Sequence, residues 1–220
     1  MIQSQVSQSM GHLALHYGAA GDAEAAATLM RALGFIETQM LPLTGGNFYR
    51  FVVDSAHAAR GDGIVYLSAV PEAQQALTEA IHASLRIGQG DEHEAVAGMR
   101  AMLEADPEAS FHVGFLVESF ERIEALTLDM QQRAQDDPLL KGRVSVRINR
   151  PRPGDAAIDA QLDASPAFAS VTRYAYGRAG IQVFVETDLL KSGLLGDAMV
   201  LEFDYVFPGQ DSHILSVVEL

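Results

Sequence analysis

The sequence predicts an α+β protein built from two fused β-α-β-β-β modules joined by a helical connector. Two observations carry this. A histidine-bearing strand followed by an amphipathic helix occurs twice, from His12 to Leu33 and again from Phe111 to Met130. Three strand-like segments follow each helix, with one added strand or loop segment in the second half, and the last is introduced alike in both halves, by Gly61-Asp62-Gly63-Ile64-Val65 and by Gly196-Asp197-Ala198-Met199-Val200. Such recurrence marks an internal duplication. The first module spans residues 1–70, the connector 71–109 and the second module 110–220.

The elements follow from periodicity and punctuation. HLALHY (His12 to Tyr17) alternates as a strand does. A helix is expected over Asp22 to Leu33, with Ala23, Ala26, Met30 and Leu33 at helical spacing and Gly34 placed to end it. Strands are expected over Glu37 to Leu43, Asn47 to Asp54 and Gly63 to Val70, separated by Thr44-Gly45-Gly46 and by a small-residue loop ending Arg60-Gly61-Asp62. Pro71 opens the connector's first helix, whose apolar stripe is Leu77, Ile81 and Leu85. A second helix over Asp91 to Glu104 carries Val96, Met99 and Leu103, and both helices are expected to pack against something larger.

In the second module FHVGFLV (Phe111 to Val117) reads as a strand, and Ser119 as the N-cap of a helix bearing Phe120, Ile123, Leu126 and Met130. Strands are expected at Val144 to Arg150, Val171 to Tyr176, Ile181 to Asp188 and Met199 to Phe207. The segment near 155–176 is an added strand or loop. Pro151, Pro153 and Gly154 open a loop there.

Composition narrows the function. The 220 residues are long enough to bury roughly 70% of the chain's surface. Acids outnumber bases 29 to 15, a formal charge of −14, which repels phosphate backbones and anionic lipid. Neither nucleic acid nor a membrane is therefore an expected partner. With no cysteine, disulfides, zinc–thiolate sites and cysteine nucleophiles are excluded. Met1 to Met10 has neither a basic start nor an apolar run, and no stretch approaches the ~20 apolar residues of a membrane span. A cytoplasmic protein is expected. GxGxxG, P-loop, GxSxG and HExxH patterns are all absent from the sequence.

Alternation assigns each strand two faces. Leu13, Leu15 and Tyr17 oppose His12, Ala14 and His16; Phe111, Val113, Phe115 and Val117 oppose His112, Gly114 and Leu116; Leu201, Phe203, Tyr205 and Phe207 oppose Val200, Glu202, Asp204 and Val206. The apolar faces are expected to pack on helices, leaving His12, His112 and Glu202 on the other side. Two imidazoles and a carboxylate are the ligand set of a mononuclear metal site with open positions for substrate and dioxygen, and imidazole alone does not choose the metal. The plain alternative is a solvated polar face. Arg147, Gln182 and Phe184 are candidates to line the same cavity and bind substrate. Tyr174 and Tyr176 share a face and are candidate phenolic donors, or stack in a core. Asp91, Glu92, His93 and Glu94 suit a helix start better than a metal. His57, His82 and His213 read as surface or packing residues.

HLALHYGAAGDAEAAATLMRALGF (His12 to Phe35) resembles the opening of the vicinal oxygen chelate superfamily, the glyoxalase, bleomycin-resistance and extradiol dioxygenase group. FHVGFLVESFERIEAL (Phe111 to Leu126) resembles the opening of its second module, and GDAMVLEFDYV (Gly196 to Val206) its closing, glutamate-bearing strand. The resemblance implies a curved mixed sheet around a cavity, with His12, His112 and Glu202 as metal ligands. A fourth ligand is missing from GIVYLSAV (Gly63 to Val70), where alignment on Gly-Asp puts Leu67 opposite Glu202 and facing puts Tyr66 or Ser68 there. Three ligands so distributed look like the iron(II) dioxygenase branch, acting on a small aromatic or vicinal-oxygen substrate. Nickel, cobalt, zinc or manganese in place of Fe(II) would go with a lyase or isomerase, and no metal with a small-molecule-binding relative. The further histidine that the extradiol branch places near dioxygen has no counterpart unless His16 serves. Many relatives self-associate, so a homodimer is expected.

Overall fold

The computed structural model describes residues 10–109, 111–175, 179–193 and 197–209. The first module runs β1 (His12–Tyr17), α1 (Ala23–Ala32), β2 (Ile36–Leu41), β3 (Phe48–Val52), α2 (Ser55–Arg60) and β4 (Ile64–Ala69). The connector holds α3 (Glu72–Leu85), α4 (Glu94–Ala105) and a short turn at Pro107–Ala109. The second module runs β5 (His112–Leu116), α5 (Phe120–Asp136), β6 (Val144–Asn149), α6 (Ala156–Ala164), β7 (Gly180–Ser192) and β8 (Asp197–Val206).

The pairing repeats strand for strand. β1 lies parallel to β4 and β5 parallel to β8; β3 is antiparallel to β4 and β7 to β8; β2 is antiparallel to β3 and β6 to β7. The whole is one eight-stranded mixed sheet of order β2-β3-β4-β1-β7-β8-β5, with β6 paired to β7 beside that path. The sheet does not close into a barrel, so β2 and β5 remain edges.

The modules meet on β7. Its first half pairs with β6, and its far end pairs with β1 through Leu190 opposite Tyr17 and Lys191 opposite His16. The strand reaches four residues past the Asp188 end expected from sequence. There the Thr187 hydroxyl donates to Arg143 O at 3.0 Å and accepts from the Leu189 amide at 3.0 Å, and the β7–β8 ladder shifts register between Thr187 and Lys191. A local irregularity thus hid the joint from a reading based on alternation.

One core runs under both modules. Leu15, Tyr17, Tyr49, Phe51, Val65 and Leu67 meet Ala26, Leu29 and Met30 of α1, while Val183, Val185, Leu201 and Phe203 meet Ile123 and Met130 of α5. The alanines of α1 have little side chain to hold the helix off the sheet. Each large apolar side chain so buried stabilises the fold by about 1.5–3 kcal/mol. Ser119 caps α5 as expected, its hydroxyl accepting from the Arg122 amide at 3.2 Å.

Several expectations are corrected. Residues 55–60 form α2 rather than a loop, because Asp54 Oδ1 accepts the Ala56 and His57 amides (2.6 and 3.3 Å) and Gly61 closes the turn at φ +74°. The expected strand over Val171 to Tyr176 reduces, among the described residues, to one bridge between Arg150 and Tyr174, and the segment before it contains α6. The connector's apolar stripes are not buried: neither α3 nor α4 has a fully buried residue, and Leu77 and Met99 are exposed. Phe111, expected on the helix face, is also exposed. Among the described residues no helix is long and apolar enough to cross a membrane.

Candidate functional site

The strand registers make the two modules superimposable residue by residue on the face away from the helices. His12 and His112 open β1 and β5, lying opposite Ile64 and Val200. Two residues on, Ala14 lies opposite Tyr66 and Gly114 opposite Glu202. Tyr66 is therefore the first module's counterpart of Glu202, as facing predicted and alignment on Gly-Asp did not. Ser68 likewise corresponds to Asp204.

In the second module these positions build a buried acidic cluster. His112 Nε2 lies 3.2 Å from Glu202 Oε2. Gln182 Nε2 donates to Glu202 Oε1 at 2.8 Å, so both carboxylate oxygens have neighbours. Asp204, two residues along β8, shares the face. Burial, the Glu202 charge, a hydrogen bond with Glu202 and the Glu108 charge, in that order, push its carboxyl up to about 8. The Asp204–Glu202 pair thus holds a proton well above the usual carboxylate range. Gly114 leaves room beside both acids, since a Cβ there would sit 3.7 Å from Asp204 Oδ2 and from Glu202 Oε2.

The end of the connector closes over this face. Arg147 Nη1 donates to Glu104 O at 2.7 Å while its Nε pairs with Glu186 at 2.8 Å. Arg173 Nη2 donates to Ala105 O at 3.1 Å and its Nε to Asn149 Oδ1 at 3.2 Å. Pro107 is buried, and Glu108 hydrogen-bonds Gln182, its carboxyl raised chiefly by burial and then by Glu202. Phe184, opposite Glu202 on β7, is fully buried. Arg147, Gln182 and Phe184 lie on one face of β6 and β7, which the end of the connector covers.

The corresponding face of the first module is open. The His12 ring lies 5.3 Å from that of Tyr66, which lies 5.4 Å from that of Phe48. Arg50 sits opposite Tyr66 on β3 with its guanidinium on Thr38 at 2.8 Å. His16 Nδ1 lies 3.2 Å from Ser68 Oγ. His12 is exposed, and Phe48, Arg50, Tyr66, His16 and Ser68 are half-buried. The result is a platform of three rings flanked by one cation and by His16 and Ser68.

The metal expected from sequence needs His12, His112 and Glu202 around one point. The structure brings His112 to Glu202 but sets His12 against Tyr66, and among the described residues no group of three or more His, Asp or Glu is arranged to hold a metal ion. Of the candidate phenols, Tyr174 lies exposed with the Arg152 guanidinium 5.5 Å over its ring, and Tyr176 falls outside the described residues, as does His213. The acids at 91–94 behave as a helix start: the His93 ring accepts the Ala95 amide, and Glu92 holds the Gly88 amide and Arg100. Alternation already placed Asp204 beside Glu202. Glu108 and Phe48 were missed, Glu108 because nothing local to a connector tells which face it will cover.

The β-α-β-β-β module occurs twice, paired strand for strand and with a histidine on each opening strand, in a mixed α+β fold. No protein-family model and no curated protein matches the sequence. Among solved structures, the chain is similar to TnmS3, an antibiotic binding protein from Streptomyces sp. CB03234, at 10% identity over 91% of this chain and 98% of that one, with a TM-score of 0.38. It is similar to UcmS2 at 12% identity over 90% and 98% of the two chains, with a TM-score of 0.37. A possible glyoxalase from Bacillus cereus is similar at 12% identity over 91% and 100%, with a TM-score of 0.34.

Proposed function

We propose that this protein binds a small aromatic molecule, of the size and planarity of a catechol, on the open face of its first module. One observation carries the reading: the row His12–Tyr66–Phe48 presents three rings to solvent on a rigid sheet, at 5.3 and 5.4 Å spacing. Stranded rings on a sheet face are ready to stack with a flat ligand, and each good aromatic contact adds about 0.5–1.5 kcal/mol beyond the area it buries. Arg50, His16 and Ser68 at the edges of the row supply donors for ring oxygens. The proposal includes a homodimer, since β2 offers an unpaired edge on which Ile36, Met40 and Leu41 are exposed. Calorimetric titration with catechol tests the ligand. Saturable binding that Tyr66→Ala weakens several-fold supports the reading, and binding indifferent to Tyr66→Ala and His12→Ala defeats it.

A second reading is favoured by the 3.2 Å approach of His112 to Glu202. It is an Fe(II)-dependent dioxygenase, or with nickel, cobalt, zinc or manganese a lyase or isomerase, holding its metal through His12, His112 and Glu202. The described residues do not assemble that trio, so the reading requires His12 to reach the other two. Elemental analysis of protein purified without oxygen and without a histidine tag decides it. Near-stoichiometric iron that His112→Ala abolishes would favour this reading over the first. No metal after reconstitution would retire it.

A further inference from the structure

A second pocket lies where the modules meet, and it shares no lining residue with the platform of His12, Tyr66 and Phe48. It is a cleft of about 320 Å³ between the segment after β1, one side of α3 and the far end of β7. Gln74, Thr78 and His82 face it at four-residue spacing, one stripe of α3. That stripe is half-buried, as are Ile81 and Leu85, while Leu77 is exposed, so α3 brings polar as well as apolar side chains toward the protein.

Two charges meet in this cleft without pairing. Lys191 is one of only two lysines in the chain, and among the described residues its ammonium makes no ion pair and no side-chain hydrogen bond. It reaches the cleft across Gly18. A Cβ on that residue would stand 2.8 Å from Lys191 Cε and 3.8 Å from its Nζ, so a larger residue there makes the lysine side chain shift. Asp22 comes from the other side. Its Oδ1 is held by Arg143 Nη1 at 3.0 Å, which leaves Oδ2 facing the same spot, 3.8 Å from that Cβ position. Glu79 stands on the α3 side, hydrogen-bonded by Gln75.

A lone anion would meet Lys191 but also Asp22 and Glu79, and a lone cation would meet the two acids but also Lys191. The complement of an unpaired ammonium beside an unpaired carboxylate oxygen is a ligand carrying both charges in the opposite order. We propose that this cleft binds a small zwitterion of the free α-amino-acid class, its carboxylate on Lys191 and its ammonium toward Asp22 and Glu79. The Gln74 amide is placed to meet its remaining polar atoms. The volume lies at the small end of the range of ligand pockets, enough for an amino acid with its side chain.

The test is calorimetric titration of the full chain with each of the twenty protein amino acids, and with acetate and methylammonium as the two half-ligands. At least one amino acid should bind saturably, and both half-ligands at least about tenfold more weakly, because each leaves one charge of the cleft unanswered. Lys191→Met should weaken that binding about tenfold or more. Gly18→Ala keeps the lysine charge and only makes its side chain shift, so it should weaken binding a few-fold, less than Lys191→Met. Gln74→Ala, on a helix surface where it does not threaten folding, should weaken it a few-fold, and thermal melts should show all three variants folded. Acetate binding as tightly as the amino acid, amino-acid binding unchanged in folded Lys191→Met, or no saturable binding by any of the twenty would each overturn the proposal.

Discussion

Tyr66 stands in the first module where Glu202 stands in the second: each lies opposite the residue two places beyond its module's leading histidine. The duplication has therefore been filled with different chemistry. The second module has histidine beside a buried carboxylate, closed over by the connector, while the first has histidine beside a phenol ring, open to solvent. That asymmetry is why the ligand is placed on the first module.

The platform predicts a graded response at position 66. Tyr66→Phe keeps the ring and should leave catechol binding within about twofold, while Tyr66→Ala should weaken it about three- to tenfold, the worth of one aromatic contact. Tyr66→Phe should melt close to the wild type, while Tyr66→Ala, which removes a half-buried ring, should melt somewhat lower yet remain folded. Calorimetry and thermal denaturation read the two effects separately.

Asp204 predicts a pH dependence of stability. Folded, its carboxyl titrates at about 8; in an unfolded chain an aspartate titrates near ~3.9. Between those values the folded protein holds a proton that the unfolded chain has released, so stability falls as pH rises from about 4 to about 8 and the loss is complete above that. Glu108, also raised, acts in the same direction. Asp204→Asn removes the larger part of this slope, and its melting temperature should gain on that of the metal-free wild type steadily from pH 5 to pH 8. Parallel pH profiles for the two proteins would refute the assignment.

Phe115 measures the helix face of β5. Its ring lies 5.5 Å from Phe203 in a near-parallel stack and 5.0 Å from Phe35 edge-on, at the floor of a cleft of about 620 Å³ between α1 and α5. The ring is partly exposed, so Phe115→Ala should cost about 2–3 kcal/mol in urea unfolding, below the 3–5 typical of a fully buried ring. No change in stability would mean that the two faces of β5 are reversed.

Asp54 gives a local check on α2. Removing its cap with Asp54→Ala leaves the Ala56 and His57 amides unsatisfied and should cost about 1 kcal/mol. Asp54→Asn, which keeps an acceptor, should recover most of it.

Much of the fold was legible because duplication repeats its own evidence. Strand alternation put Leu15 and Tyr17 against the helices and His12 on the other side, and it separated Phe203 from Glu202 and Asp204 correctly. Alternation says which face a side chain takes, but nothing about what later covers that face. Glu108 lands on Gln182 because a connector thirty-odd residues long folds back, and that is tertiary packing. The same limit explains α3, where Leu77 of the apolar stripe is exposed while Gln74 and Thr78 line a cleft. Nor does alternation tell which residues of one face meet: His112 lies against Glu202, while His12 lies against Tyr66.

The most direct test of the central claim is a ¹H–¹⁵N correlation spectrum followed through a titration with catechol. The account predicts saturable shifts concentrated at His12, Phe48, Arg50 and Tyr66, with His112, Gln182 and Glu202 unmoved. Shifts confined to the second module, or none at all, would contradict it.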